Sequence, residues 1–299
     1  MRICYVLDAN PETYNGGTPS VVKNLLRYTG GRIVSGSRNT LTNLILMLIV
    51  PFRVVRYSII NIHDTQGYFC TFWPMKKKTV YTCHGTWKNY YRIFPPKTIK
   101  EKIRSMTAIC LQRRLITKSR KLIAVSENVK NQIVLEYGMD PKNITVIYNG
   151  VDTRLFTPGN HGSGFIWVGD NPELKGLNTA IKYAELKKKR IIVVGIDGKN
   201  SYNVEYAGKV LPKDMPKFYR LAKTLLFFSK MEGHPLVPLE AAACGLNIIA
   251  SRESNIEIFP LKNGIYNVSG KYATKIVKKY DWSNQSNMYK EEFSKVCGV

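Results

Sequence analysis

A chain of 299 residues with 44% hydrophobic content can fill two cores of ordinary size, which excludes a disordered chain. Lys and Arg number 45 against 21 Asp and Glu, a net charge of +24. Such a surface favours an anionic membrane, a polyanion or a phosphorylated substrate. The excess is uneven: 24 basic and 8 acidic residues fall in 1–157, a balance of +16, and 158–299 carries the remaining +8. The six cysteines, Cys4, Cys70, Cys83, Cys110, Cys244 and Cys297, lack the paired spacing of a disulfide or zinc framework. They point to reduced, mostly buried thiols and a cytoplasmic protein.

The chain opens with an apolar strand at Arg2–Leu7, without the pattern of a secretory signal. Asn15-Gly16-Gly17-Thr18-Pro19-Ser20 then leads into a helix, with Thr18 as N-cap and Pro19 as first helical residue. A Gly16-Gly17 loop between strand and helix can approach a phosphate closely. Leu41–Phe52 is strongly apolar but only 12 residues long, short of the ~20 needed to span a bilayer. It reads as a buried core helix or an interfacial one, with Arg53 and Arg56 just beyond it. Ser58–His63 and Thr79–Cys83 are further strands, the second running into His84-Gly85. A histidine there points into the crevice where open α/β sheets bind ligands, unless it is a structural residue of a turn.

Residues 97–121 hold nine Lys or Arg and one Glu, with Ile99, Ile103, Met106 and Ile109 at helical spacing. This is a packed helix with a solvated basic face, or a helix resting on anionic lipid. Lys121–Ser126 is a strand, Glu127–Tyr137 a helix closed by Gly138, and Asn143–Asn149 another strand. The Pro/Gly-rich stretch Thr157–Gly164 marks a domain boundary, giving domains at 1–157 and 158–281 and a closing helix at 282–299. Gly164–Gly169 and Ile191–Gly198 open the second domain as strands that run into glycine loops.

The stretch most loaded with chemistry follows the apolar run Thr224–Phe228. In Met231–Ser251, MEGHPLVPLEAAACGLNIIAS, two carboxylates, Glu232 and Glu240, stand eight positions apart. Pro238 suits a first helical turn, which places Glu240 in that turn and Gly245 at the C-terminal stop. Backbone N–H groups of Leu236, Val237 and Leu239 could face an anion such as a diphosphate. Fixed carboxylates beside such a site are good acceptors for sugar hydroxyls.

EGHPLVPLEAAACG resembles the E-x7-E segment of retaining GT-B glycosyltransferases of the family-4 type, with His234 and Pro235 as departures. The resemblance extends over LIAVSENVKNQIVLEYGMDPKNITVIYNGVDTRLFTP and covers almost the whole chain. It implies an α/β GT-B fold: two doubly wound, Rossmann-like parallel-sheet domains facing a cleft, with the C-terminal helix crossing back to the first. It implies a retaining hexosyltransferase without metal or other cofactor, taking a nucleotide-diphosphate sugar to a glycan or a lipid- or protein-linked hydroxyl. The catalytic assignments are His84 and Glu232, beside the donor sugar. The donor assignments are Gly16 and Gly17, Lys175 on the diphosphate, Gly208 and Val210 at the nucleobase, Glu240 on the ribose, and His234, Leu236 and Val237 around them. Asp170 stands where the family carries an arginine, and a carboxylate cannot replace a guanidinium against phosphate. The competing reading is a catalytically weak or decayed transferase that binds a polyanion or membrane. The basic surface suits a peripheral place on the inner face of a membrane, with nucleic acid a more remote partner.

Overall fold

The structure is a computed structural model that describes residues 1–12, 16–36 and 40–298, side chains of 40 and 41 excepted. Cα packing divides the chain into two units, Met1–Tyr148 with Ser283–Val299, and Asn149–Trp282.

In the first unit the strands are β1 (Ile3–Leu7), β2 (Arg32–Ser35), β3 (Ile59–Ile62), β4 (Thr79–Cys83), β5 (Lys121–Ala124) and β6 (Ile144–Val146). They form one parallel sheet in the order β2-β1-β3-β4-β5-β6. Its helices are α1 (Gly17–Thr29), α2 (Thr40–Val54), α3 (Trp87–Ile93), α4 (Ile99–Lys118) and α5 (Glu127–Tyr137). Alternate residues go to opposite faces, and both faces are covered, as a parallel sheet requires. Cys4, Val6, Ile60, Ile62, Tyr81 and Cys83 join one apolar cluster, while Tyr5, Leu7 and Ile59 are fully buried on the other side. Gly138 ends α5 in the left-handed region, and the Ser126 hydroxyl caps its start by accepting from Val129 N–H.

The second unit holds β7 (Phe165–Val168), α6 (Leu177–Leu186), β8 (Ile191–Val194), β9 (Val204–Gly208), α7 (Met215–Arg220), β10 (Thr224–Phe227), α8 (Leu236–Ala243) and β11 (Asn247–Ser251). Two short antiparallel strands follow, β12 (Leu261–Lys262) and β13 (Ile265–Val268), then α9 (Gly270–Val277). The sheet order is β12-β13-β11-β10-β7-β8-β9. Ile166, Val194 and Phe227 belong to one cluster and Trp167, Val193 and Leu226 to another, so this sheet too is buried on both faces. Each sheet reverses strand order once, between β1 and β3 and between β7 and β10, and such switch points are where open α/β sheets take ligands.

The last helix, α10 (Trp282–Cys297), packs with the first unit through Ser283 and beyond. Its Glu292 pairs with Lys121 of β5 at 2.7 Å. The crossing to the second unit falls at Tyr148–Asn149, ahead of the Pro/Gly-rich stretch at 157–164. That stretch is bound into the second unit: Arg220 donates to Thr157 O, and Gly162 N–H to Arg220 O.

Three local expectations are corrected. Helix α1 begins at Gly17 with Gly16 as its N-cap, two residues earlier than a Thr18 cap would set it. Helix α8 begins at Leu236 with Pro235 as N-cap, so Glu240 lies in its second turn and gains little from the helix dipole. In α4 the apolar stripe Ile99, Ile103 and Met106 is exposed; the packed residues are Ser105, Gln112, Leu115 and Ile116. Asn15 lies outside the described residues.

Candidate functional site

In the second unit, the loops leaving β7 and β10 flank the switch point and meet through side chains. Lys175, from the first loop, places Nζ 2.5 Å from Glu232 Oε1, from the second. Both are largely buried, which strengthens the pair over an exposed one. The backbone holds the lysine in place: its carbonyl accepts from the indole N–H of buried Trp167, and its N–H donates to Asn171 O. Gly176, with φ +66, tucks so close to Phe228 O that a Cβ would lie 2.1 Å away. The two loops are therefore clasped by backbone as well as charge.

Glu240 points from α8 to the hydroxyl of Tyr219, which donates to Oε2 at 2.8 Å. Burial pushes the Glu240 carboxyl up to about 7, opposed by that hydrogen bond. Tyr219 is fully buried, and its phenol is driven well above its ordinary range by burial and then by the adjacent carboxylate. Leu236 and Val237 are partly exposed at the start of α8. Gly208 closes β9 with φ +65, its carbonyl accepting from Gly195 N–H at 2.8 Å, and a Cβ there would meet Asp197 Oδ1. Val210 packs against the apolar cluster beneath.

His234 has a different surrounding. It is buried, its Nδ1 accepts from Asn149 N–H at 3.1 Å, and its carbonyl accepts from Asn149 Nδ2 at 2.6 Å. Burial lowers its ring to about 3. These contacts bolt Asn149, the first residue of the second unit, to the loop after β10. Asp170 is exposed, five residues before Lys175. Two polar residues that carry no obvious sequence signal steady the loop after β10: Ser254 Oγ donates to Phe227 O, and Asn255 Nδ2 to Gly233 O.

The first unit has its own cluster at the carboxyl ends of β1, β3 and β4. His84 Nε2 lies 2.9 Å from His63 Nδ1, and His63 Nε2 lies 2.8 Å from Asn61 Oδ1. The two imidazoles stack with centroids 5.2 Å apart. Burial lowers His84 to about 4 and holds His63 well below its ordinary value. Beside them Asp8 N–H donates to Asp64 Oδ2. Burial raises Asp64 to about 6; burial and then the Asp64 charge hold Asp8 well above the usual carboxylate range. Sequence reasoning singled out His84 and missed Asn61, His63, Asp8 and Asp64. Their signal was position: each lies within two residues of the end of a buried strand, β1 or β3, at the switch-point end of the sheet. Gly16 and Gly17 stand at the start of α1, and a Cβ on Gly17 would meet open space.

Among the described residues no cluster of His, Cys, Asp or Glu could hold a metal ion, and every cysteine is free. No helix there is long and apolar enough to cross a membrane.

Residues 9–155 match the model of Glycosyltransferase Family 4, and 139–279 that of Glycosyl transferases group 1. A D-inositol 3-phosphate glycosyltransferase of Pseudarthrobacter chlorophenolicus is 25% identical over 208 residues, 58% of this chain and 48% of the relative. An uncharacterized glycosyltransferase of Methanocaldococcus jannaschii is 30% identical over 149 residues, 46% of this chain and 41% of that one. The matches thus span under half the length of these curated relatives. Among solved structures, sucrose-phosphate synthase from Thermosynechococcus elongatus superposes with TM-score 0.79 at 14% identity, covering all of both chains. Anabaena HepE in complex with UDP and glucose gives 0.74 at 16% identity, covering 98% of this chain and 99% of its own. The chain thus resembles glycosyltransferases over residues 9–279 and shares the GT-B type of fold with these solved structures.

Proposed function

We propose that the protein is a retaining glycosyltransferase that moves a sugar from a nucleotide-diphosphate donor to a hydroxyl acceptor. The observation that carries this reading is the Lys175–Glu232 pair, held at 2.5 Å at the switch point of the second sheet. A cation there suits the diphosphate, and a carboxylate beside it suits the hydroxyls of the sugar. Glu240, one helix turn and more beyond, offers its carboxylate to the ribose, with Tyr219 fixing the other face of the carboxyl. The diphosphate leaves while Lys175 and the N–H groups of Leu236 and Val237 meet its charge. The sugar passes through an oxocarbenium-like state, and the acceptor oxygen bonds to the anomeric carbon on the face that the diphosphate vacates. His84 and Glu232 orient the sugar. Solved neighbours that carry UDP, alone or with glucose, are consistent with such a donor. Thermal stabilisation across a panel of nucleotide sugars, followed by release of the sugar, tests the reading; a ligand of the folded state raises its melting point by mass action. No response to any donor would instead favour a decayed transferase, a reading supported by Asp170 in the arginine position.

We further propose that the acceptor side works on an anionic membrane. Helix α2 buries Leu46, Val50 and Val54 but exposes Leu44, Ile45, Leu48, Ile49 and Phe52, and Val55 just beyond it is exposed too. Helices α2 and α4 both pack on the 3₁₀ turn Thr65–Thr71, which leads to exposed Phe72 and Trp73. Arg53, Arg56, Lys76 and Lys77, all exposed, rim this apolar surface. An apolar face with a basic rim is the composition of an interfacial helix. Cosedimentation with anionic against neutral vesicles, at low and high salt, decides it; equal binding to both would remove the proposal.

A further inference from the structure

The chain Asn61–His63–His84 leaves no freedom in where its protons sit. Asn61 is fully buried, and its side-chain nitrogen donates to Val80 O at 3.1 Å and to Thr82 Oγ1 at 2.9 Å. A backbone carbonyl can only accept, so that atom is the NH2 and the oxygen faces His63. An amide oxygen can also only accept, so His63 Nε2 must carry a hydrogen to make its 2.8 Å contact. His63 is 2% exposed, and burial holds it neutral, so its Nδ1 is a bare lone pair. The 2.9 Å contact from Nδ1 to His84 Nε2 then requires the hydrogen on His84.

We infer that His63 is a positioning residue, fixed by Asn61, that holds His84 as the Nε2–H tautomer and leaves His84 Nδ1 as an acceptor for a ligand hydroxyl. The hydroxyl is that of a sugar only if the proposed transferase reading is right; the tautomer itself rests on the hydrogen bonds alone. A histidine offered this way can fix a neutral O–H without adding positive charge beside a developing oxocarbenium ion. Asn61 and His63 thus act through His84 and need not touch the ligand.

Long-range 1H–15N correlation spectra of histidine-labelled protein read the tautomer directly, and with four histidines in the chain the spectrum is simple to assign. At pH 7.5 His63 and His84 should both show Nε2–H. A His84 signal from Nδ1–H, or from imidazolium, would overturn the inference whatever the activity. In His63→Leu, His84 should lose its single tautomer; an unchanged signal would equally sink the role given to His63. If transfer is measured, kcat should drop ~10-fold or more in His63→Leu with donor KM nearly unchanged. His63→Gln, whose amide oxygen can accept from His84, should recover part of it. A protein without transferase activity would fail this last arm while still passing the spectroscopic one, which separates the two proposals.

Discussion

Glu240 offers a test in which stability and binding move in opposite directions. Its carboxyl titrates in the fold at about 7 against an ordinary value of 4.5, because burial disfavours the charged form. A folded value above the unfolded one means that the fold binds the proton more tightly. Stability contributed by this group is therefore full below pH ~4.5, falls as pH rises toward 7, and stays low above. At 1.36 kcal/mol per pKa unit the cost of holding the carboxylate is at most about 3 kcal/mol. Glu240→Gln keeps the shape and removes the charge. Calorimetry should show the variant melting higher than the parent at pH 8.5 and nearly level with it at pH 5. Nucleotide affinity should do the reverse. Losing a charged acceptor for the ribose costs about 1.5–3 kcal/mol, or roughly 10- to 150-fold in Kd at pH 8. A variant that gains stability but binds nucleotide as before would refute the ribose role; a pH-independent difference in melting would refute the burial argument beneath it.

His84→Ala should lower turnover more than donor affinity, since its ring is assigned to the transferred sugar; normal turnover would return it to a structural role. Lys175→Met removes the cation paired with Glu232. Affinity for nucleoside diphosphates should fall by about 1.5–3 kcal/mol while the bare nucleoside binds as before, and equal losses on both would place the lysine elsewhere. Asp8→Asn should stabilise the protein more at pH 8 than at pH 5, as denaturation midpoints would show. The raised Asp8 and Asp64 carboxyls lose stability as pH climbs through about 6, and one fewer buried charge relieves that loss. Phe52→Ser with Trp73→Ser should weaken anionic-vesicle binding with no change in melting, both side chains being mostly exposed; retained cosedimentation would argue against the α2 surface.

Much of this was legible because both sheets are parallel and buried on both faces. Such strands read as short unbroken apolar runs, and Thr79–Cys83 and Glu127–Tyr137 emerge with the boundaries that composition and the glycine at 138 suggested. Pro238 does lie in the first turn of α8, but the helix starts at Leu236, with Pro235, a residue with no N–H, as N-cap, and this moves Glu240 into the second turn. The α4 stripe was legible as helical but not as exposed: periodicity gives a face, and only tertiary packing says whether that face is covered. The basic residues differ in the same way. Arg114 donates to Thr71 Oγ1 at 2.9 Å and lies 3.5 Å from the Phe72 ring centroid, and Lys121 pairs with Glu292. Replacing either costs packing, so a charge-removal series aimed at lipid should leave both in place. The polar partners at the strand ends escaped notice because Asn61, His63 and Asp64 are single residues within or next to a short strand. Only the sheet order brings them beside His84.

The distribution of charge bears on what the +24 is for. At the strand ends positive charge is scarce: Lys175 is matched by Glu232, and the two histidines are kept uncharged by burial. Glu240 sits close to its own titration point. On the proposed reading, a donor diphosphate would meet the paired Lys175 and the N–H groups at the start of α8. The surplus lies instead on exposed faces, most densely in the first 157 residues, among them Lys97, Lys100, Lys102 and Arg104 of the α4 segment and Arg53, Arg56, Lys76 and Lys77 around α2. Charges spread over a surface add about 1 kcal/mol each against an anionic bilayer and are screened beyond roughly 8 Å at physiological salt. They can hold the protein to an extended anionic partner, and they are too dispersed to define one small ligand. If both proposals hold, donor recognition and attachment draw on separate residues, and variants of the rim should alter where the protein resides without altering which nucleotide it binds.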